Sequence, residues 1–328
     1  MNNAINIFAS AYKTRLGKVR IQTTNLEFPQ GVRHEIVSPA LRGKGNYPFI
    51  LSHSKLTENV VILTHGLSDS PHYMEAIGRR FFYAGANVIF PLLFGHGMKY
   101  PDKALQDWSL YKKWKSDLDN AIDTAKLFGN TISLGGLSTG AALSLNAVLR
   151  RNKDIKGGLF LFSAALDIGY LHENIGKIPL IQTYFRFVQE KIVGAGPNPY
   201  KYPIFSDFTG LQLAKLIKEN NKRLGQQRIK QPVFAAHSVQ DPHTPLSGVI
   251  KLLNNHVETG TAYLIAQCKD GQTVEHGEVV LEKSIDFPPE NIYSLLPPKA
   301  NPKFDDMMHS AIRFYQNEIK TPKKKHER

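Results

Sequence analysis

The chain has a single cysteine, Cys268, among 328 residues, so no disulfide can close within it and a reducing compartment is expected. No run of about 18 apolar residues exists, so no membrane-spanning helix is expected. The start of the chain mixes Asn, Lys and Arg with short apolar pieces and lacks the continuous apolar stretch of a signal peptide. These absences make a cytoplasmic location the expectation, with peripheral membrane contact as a further one. Internal repeats and low-complexity segments are lacking too. Acidic residues are scarce: 28 Asp and Glu stand against 41 Lys and Arg, a formal net charge of +13. That balance favours anionic surfaces such as phospholipid headgroups, or anionic substrates. No zinc-ligand spacing or nucleic-acid motif accompanies it, so nucleic acid is not an expected partner. The basic residues are dispersed except in the tail, residues 320–328, which reads foremost as a solvated terminus.

What is present is a globular composition, 42% hydrophobic and 10% aromatic, in a chain long enough for one large α/β domain with an insertion. Short β-like pieces lie at 33–38 and 49–52, and unbroken apolar runs at 59–64, 87–90 and 157–165 suit strands covered on both faces. Helical spacing occupies 71–84 and 108–128, the second with Trp114, Leu118, Ile122 and Ala125 in register. Strand-like runs resume at 231–238 and 261–266. The alternation predicts a mostly parallel sheet clothed by helices on both sides. Between 167 and 229 the rhythm breaks into Pro-rich, aromatic sequence with one helix at 210–222, read as a cap inserted into the sheet domain. The expected organisation is an N-terminal extension (1–30), a core (31–166 and 230–320), the cap (167–229) and the basic tail (321–328).

A predicted strand runs into Gly136-Leu137-Ser138-Thr139-Gly140 and then into a small-residue helix. Gly-x-Ser-x-Gly between strand and helix has the form of a nucleophile elbow, where glycines remove the Cβ atoms that would collide as the two elements converge. A serine nucleophile needs a base, an orienting carboxylate and oxyanion donors. Asp241 follows the strand at 233–238, at the sheet edge where catalytic groups gather. Two histidines compete as base: His276, in a loop after the strand at 261–266, and His309, inside a predicted closing helix. The loop position favours His276. His237 and His243 are read as residues of the surrounding loop. The backbone N–H groups of Thr139 and Leu67, the latter in the His65-Gly66 turn closing an early strand, fit an oxyanion site.

With these residues in place the chain resembles the α/β-hydrolase superfamily, on its carboxylesterase and monoacylglycerol-lipase side. The likeness rests on residues 65–71 (His-Gly-Leu-Ser-Asp-Ser-Pro), Pro91 to Gly97, the Asp107-Trp108 and Trp114 region and the elbow, and spans roughly residues 48–280. It implies Ser138 as nucleophile, Asp241 as acid, His276 as base, Leu67 and Thr139 as oxyanion donors, and a structural role for Gly95-His96-Gly97. Two features depart from the family: Ser238 where Gly is frequent, and a Pro-rich stretch between His276 and the last helix. The lengthened stretch keeps His309 in contention.

The expected activity is carboxylic ester hydrolysis through an acyl-enzyme, with no cofactor and no metal. The expected substrate is a small-molecule ester or lipid, such as a monoacylglycerol or lysophospholipid. Leu171, Ile178, Leu180, Tyr184, Phe185 and Phe187 of the cap read either as an apolar acyl pocket or as side chains packing the cap onto the sheet. Peptidase or other acyl-hydrolase activity shares the same triad, and a non-catalytic binding protein of this fold is the rival from another class.

Overall fold

Each unbroken apolar run is a strand whose alternate side chains enter opposite cores. The structure, a computed structural model, describes residues 2–27, 29–167, 196–204, 206–266 and 271–320. In chain order its elements are α1 (Asn2–Leu16), β1 (Arg20–Leu26), β2 (Gly31–Val37), β3 (Phe49–Ser52), β4 (Thr57–Thr64), α2 (His72–Tyr83) and β5 (Asn87–Phe90). Then come α3 (Asp102–Leu105), α4 (Leu110–Ala125), β6 (Gly129–Leu137), α5 (Thr139–Arg150) and β7 (Leu159–Phe162). After the undescribed residues follow α6 (Asp207–Leu224), β8 (Val233–Ser238), α7 (Leu246–His256), β9 (Gly260–Ile265) and α8 (Phe304–Tyr315). In β4, Val60 and Ile62 pack with α1, α4, α5 and α6, whereas Val61 and Leu63 pack with α2 and α8. In β7, Leu159 and Leu161 face the first layer and Phe160 and Phe162 the second. Burial on both faces explains why these strands read as continuous apolar runs.

The nine strands form one sheet in the order β1-β2-β3-β5-β4-β6-β7-β8-β9. From β5 to β9 all neighbours are parallel, while β1, β2, β3 and β5 pair antiparallel. The expected mostly parallel sheet with helices on both faces is thus what forms. Since β3 is antiparallel to both β2 and β5, strand β2 runs in the same direction as the parallel set. Its carboxyl end therefore lies on the same edge as the ends of β4, β6 and β8, and so does the start of β1, where Arg20 pairs with Val37.

The chain before residue 31 carries two elements that the sequence reading left without assignment. Helix α1 buries Ala4, Ile5, Phe8, Ala9, Tyr12 and Leu16, a helical stripe laid against the sheet's first layer. Arg15 fixes its end through an ion pair with Asp117 of α4 at 2.8 Å, and Asp117 also accepts the Phe94 N–H at 2.6 Å. Strand β1 pairs with β2 at the sheet's edge. The helix expected at 210–222 is α6, which begins at Asp207 with the Ser206 hydroxyl accepting the Thr209 N–H. It packs on α5, where Asn220 Nδ2 donates to the Ala142 carbonyl at 2.9 Å. The six apolar cap residues, Cys268 and the tail 321–328 lie outside the described residues.

Candidate active site

Strand β6 enters α5 through Ser138, whose backbone is held at φ 53° and ψ −111°. A non-glycine residue at positive φ is strained and persists only where its surroundings over-determine it. Here the constraint is visible. The Ser138 N–H donates to the Phe162 carbonyl at 3.0 Å, and α5 behind it is buried from Thr139 to Leu149. A Cβ on Gly136 would meet the Thr64 carbonyl oxygen at 2.5 Å, and one on Gly140 would strike the Thr64 and His65 carbonyls. Both glycines are therefore required by the approach of β4's end to the elbow. Ser138 ends 7% exposed at the floor of a cleft of about 550 Å³, above the amino terminus of α5.

Asp241 follows β8 in a tight turn that consumes its acceptor capacity. Oδ1 accepts the N–H groups of His243 at 2.8 Å and Thr244 at 3.0 Å, and Oδ2 accepts the Thr244 hydroxyl at 2.9 Å. The remaining bond, 2.6 Å, comes from His276 Nδ1. Burial pushes the Asp241 carboxyl up, but the His276 hydrogen bond and charge, with the two backbone donors, outweigh it and hold the group well below the usual carboxylate range. Asp241 is thus an anion at neutral pH, so His276 Nδ1 is the donor in their bond. His276 lines the same cleft as Ser138. His309 is exposed on α8, an element that contributes nothing to the cleft lining.

His237 and His243, read as loop residues, sit on either side of this pair. His237 is fully buried at the end of β8, its Nε2 3.0 Å from the Thr244 carbonyl and 3.7 Å from Asp241 Oδ2. The His243 ring stands edge-on to His276 at 5.4 Å. Burial lowers the pKa of both.

The loop after β4 carries Leu67 to the cleft wall, and two buried histidines set its path. His65 has Nδ1 2.9 Å from the Gly66 carbonyl, while its Nε2 accepts the Leu93 N–H at 3.2 Å. His96 accepts the Ser68 N–H on Nε2 at 3.3 Å and donates from Nδ1 to the Phe94 carbonyl. Each ring must be neutral to accept. Burial, joined for His65 by the neighbouring His96, pushes His65 far down, and burial brings His96 to about 4. For His96 the sign follows directly: the folded pKa lies below the unfolded one near 6.5, so its contribution is complete above about pH 6.5 and fades as pH falls toward 4. By pH 4 the loss is about 3 kcal/mol. Thermal unfolding of the parent should therefore lose stability steeply over that window, and His96→Gln should lose less. Parallel curves for the two proteins would show that His96 does not carry the acid sensitivity.

Two residues at the cleft had no signal in the sequence. Lys201 and Tyr202 lie between β7 and α6, shortly before α6 begins. Lys201 Nζ pairs with Asp69 at 2.8 Å, and the Tyr202 N–H donates to the Ser68 carbonyl at 2.9 Å. Both residues line the cleft and tie the segment before α6 to the Leu67 loop. They also line a larger hollow of about 960 Å³, walled on its other side by Phe287, Leu295, Leu296 and the prolines at 297–298. The Pro-rich excursion after His276 thus forms a wall. It closes on itself through Ile285 N–H to Pro298 O at 3.0 Å and Asn301 N–H to Leu281 O at 2.8 Å.

Known proteins share this plan. A thermostable monoacylglycerol lipase of Bacillus sp. (strain H-257) is 24% identical over 238 residues, covering 69% of this chain and 89% of that protein. A solved structure from work on the metagenome-derived lipolytic enzymes LipS and LipT superposes with a TM-score of 0.62 at 17% identity, over 83% of this chain and 98% of that one. A soluble variant of Saccharomyces cerevisiae monoglyceride lipase gives 0.57 at 12% identity, over 95% and 99%. These structural likenesses establish the α/β-hydrolase fold. Residues 56–244, more than half of the sequence and including both the elbow and the Asp241 turn, match the family described as serine aminopeptidase, S33. By that match, on this sheet and with this elbow, the chain belongs to the serine aminopeptidase S33 family of α/β hydrolases.

Proposed function

We propose that the protein hydrolyses carboxylic esters with apolar acyl chains, with Ser138 as nucleophile, His276 as base, Asp241 as its orienting acid and the Leu67 and Thr139 N–H groups as oxyanion donors. The observation that carries this reading is the 2.6 Å Asp241–His276 bond in the same cleft as the strained Ser138. His276 Nε2 takes the Ser138 proton as Oγ attacks the ester carbonyl carbon. The imidazolium that forms is stabilised by Asp241, and the oxyanion by the two N–H groups. As the C–O bond breaks, the proton passes to the leaving alcohol. Water, deprotonated by the same ring, then releases the acid and restores Ser138.

Leu67, Ala165 and Leu213 give the cleft apolar walls, and the adjoining hollow adds Phe287, Leu295 and Leu296. That lining suits an aliphatic chain, and the monoacylglycerol lipase relatives direct the choice to a monoacylglycerol, with a lysophospholipid fitting the same plan. An aminopeptidase would need a carboxylate to hold the substrate's ammonium group. Among the described cleft residues the carboxylate present is Asp69, which pairs with Lys201, while the adjoining hollow carries Glu275 and Glu278. The apolar lining and the monoacylglycerol lipase relative favour esters, with aminoacyl amides as the competing substrate class.

A p-nitrophenyl ester series tests the reading. Specificity, as kcat/KM, should rise about tenfold or more from acetate to a medium-chain acyl group, because burying each methylene contributes up to about 0.8 kcal/mol. A preference for acetate, or faster turnover of aminoacyl anilides, would overturn the substrate assignment. Failure of a fluorophosphonate to label the folded protein would instead favour a non-catalytic binding role.

A further inference from the structure

Away from the catalytic cleft, three separate stretches of chain bring Lys18, Arg20, Arg42 and Lys99 around a groove of about 450 Å³. The Ser38 hydroxyl donates to the Leu16 carbonyl at 3.0 Å, holding the end of α1 against the turn after β2. Arg42 N–H to Gly97 O at 2.9 Å and Lys99 N–H to Ala40 O at 3.0 Å hold that turn against residues 97–99. Among the described residues no carboxylate lines the groove. Arg15 is matched by Asp117 and Arg151 by Asp123 and Asp154, whereas among the described residues no ion pair involves these four.

Arg42 is the fixed member of the set. Its guanidinium donates to the carbonyls of Lys201 at 3.0 Å and Asn198 at 2.8 Å and lies over the Tyr202 ring. Two of its five N–H groups are used in this way, which leaves a held, planar fork of the kind that suits phosphate oxygens. Burial pushes its pKa down, with Tyr202 acting in the opposite direction, so the charge is partly desolvated without a carboxylate to offset it. Tyr47 and Leu41 complete the walls and leave room for the substituent on an anion.

We propose that this groove binds a phosphate-type oxyanion, a phosphate monoester or the headgroup phosphate of an anionic lipid, on the same sheet edge as Ser138. The placement follows from the strand directions: the end of β2 and the start of β1 share an edge with the end of β6. An anionic lipid surface held there would face the edge on which the catalytic cleft opens. Lys18, Arg20 and Lys99 are exposed and act as point charges around the Arg42 fork.

The full chain is tested for co-sedimentation with phosphatidylglycerol and phosphatidylcholine vesicles, and by titration with inorganic phosphate. Lys18→Glu, Arg20→Glu and Lys99→Glu together should weaken binding about 100-fold. The same charge change at the opposite edge, Lys153→Glu, Lys156→Glu and Lys230→Glu, should weaken it by less than about threefold, since charges more than a Debye length away are screened. The milder Lys18→Gln, Arg20→Gln and Lys99→Gln set should lose about tenfold, and it serves if thermal unfolding shows that the reversals destabilise the chain. Saturable phosphate binding lost in the groove variants, with vesicles ignored, identifies a soluble phosphate ligand. Selective phosphatidylglycerol binding lost in the same variants identifies a lipid surface. Equal losses in the groove and opposite-edge sets, or no binding of either probe by the parent, would overturn the site.

Discussion

Ser138→Ala should abolish ester hydrolysis, lowering kcat by about 10⁴- to 10⁶-fold while leaving the fold intact. The expected size comes from the unit in which the serine acts. On the proposed mechanism no acyl-enzyme forms without Oγ, and the strained turn, the proposed oxyanion donors and the Asp241–His276 pair have nothing to work on. The fold should persist because Ser138 is held by its backbone, through its N–H to Phe162, and alanine keeps that bond. Alanine also relieves nothing, since the positive φ strains any residue with a Cβ. Thermal unfolding near that of the parent, together with loss of fluorophosphonate labelling, would complete the case. Hydrolysis of a p-nitrophenyl ester at the parent's rate would remove Ser138 as nucleophile.

His276→Gln and His309→Gln should differ by about 10⁴-fold or more in kcat, with His309→Gln within twofold of the parent. Glutamine at 276 can still donate to Asp241 but cannot accept and release a proton near neutral pH, so the proposed base is lost while the hydrogen bond survives. His309 is exposed on α8, whose buried side is formed by Phe304, Met307, Met308 and Ala311. Its replacement should leave both the cleft and the packing unchanged. A large loss in His309→Gln with little change in His276→Gln would transfer the role of base to the helix.

The two histidines show how far a sequence can separate such candidates. Spacing places His276 in a loop and His309 on a helix, and that much is legible. The Asp241 bond to His276 is not, because 35 residues separate the partners and their meeting depends on how the β8 and β9 loops return over the sheet edge. The glycines of the elbow were legible for a local reason, since a strand entering a helix needs them wherever it occurs. Their strictness was not, because the atoms they avoid belong to Thr64 and His65, some seventy positions away. Gly95-His96-Gly97 read as structural, whereas the role of the His96 ring, accepting the Ser68 N–H, required the fold. Lys201 and Tyr202 gave no periodic or motif signal, as a lone Lys-Tyr pair in a Pro-rich stretch never does.

By itself the sequence determined the alternation of strands and helices, the sheet class and the serine at its centre. Those features are set by hydrophobic period and turn chemistry, which act over a few residues. The tertiary structure decided which partners meet. It put Asp241 against His276, Lys201 against Asp69 beside the Leu67 loop, and four cations without an ion pair, from three segments, around one groove. Such pairings are decided by long-range packing and by the desolvation of charge, and neither leaves a local trace in the chain. The same holds for the excess of basic residues. The composition could count the +13, and only the folded sheet showed cations gathered on the edge that carries Ser138.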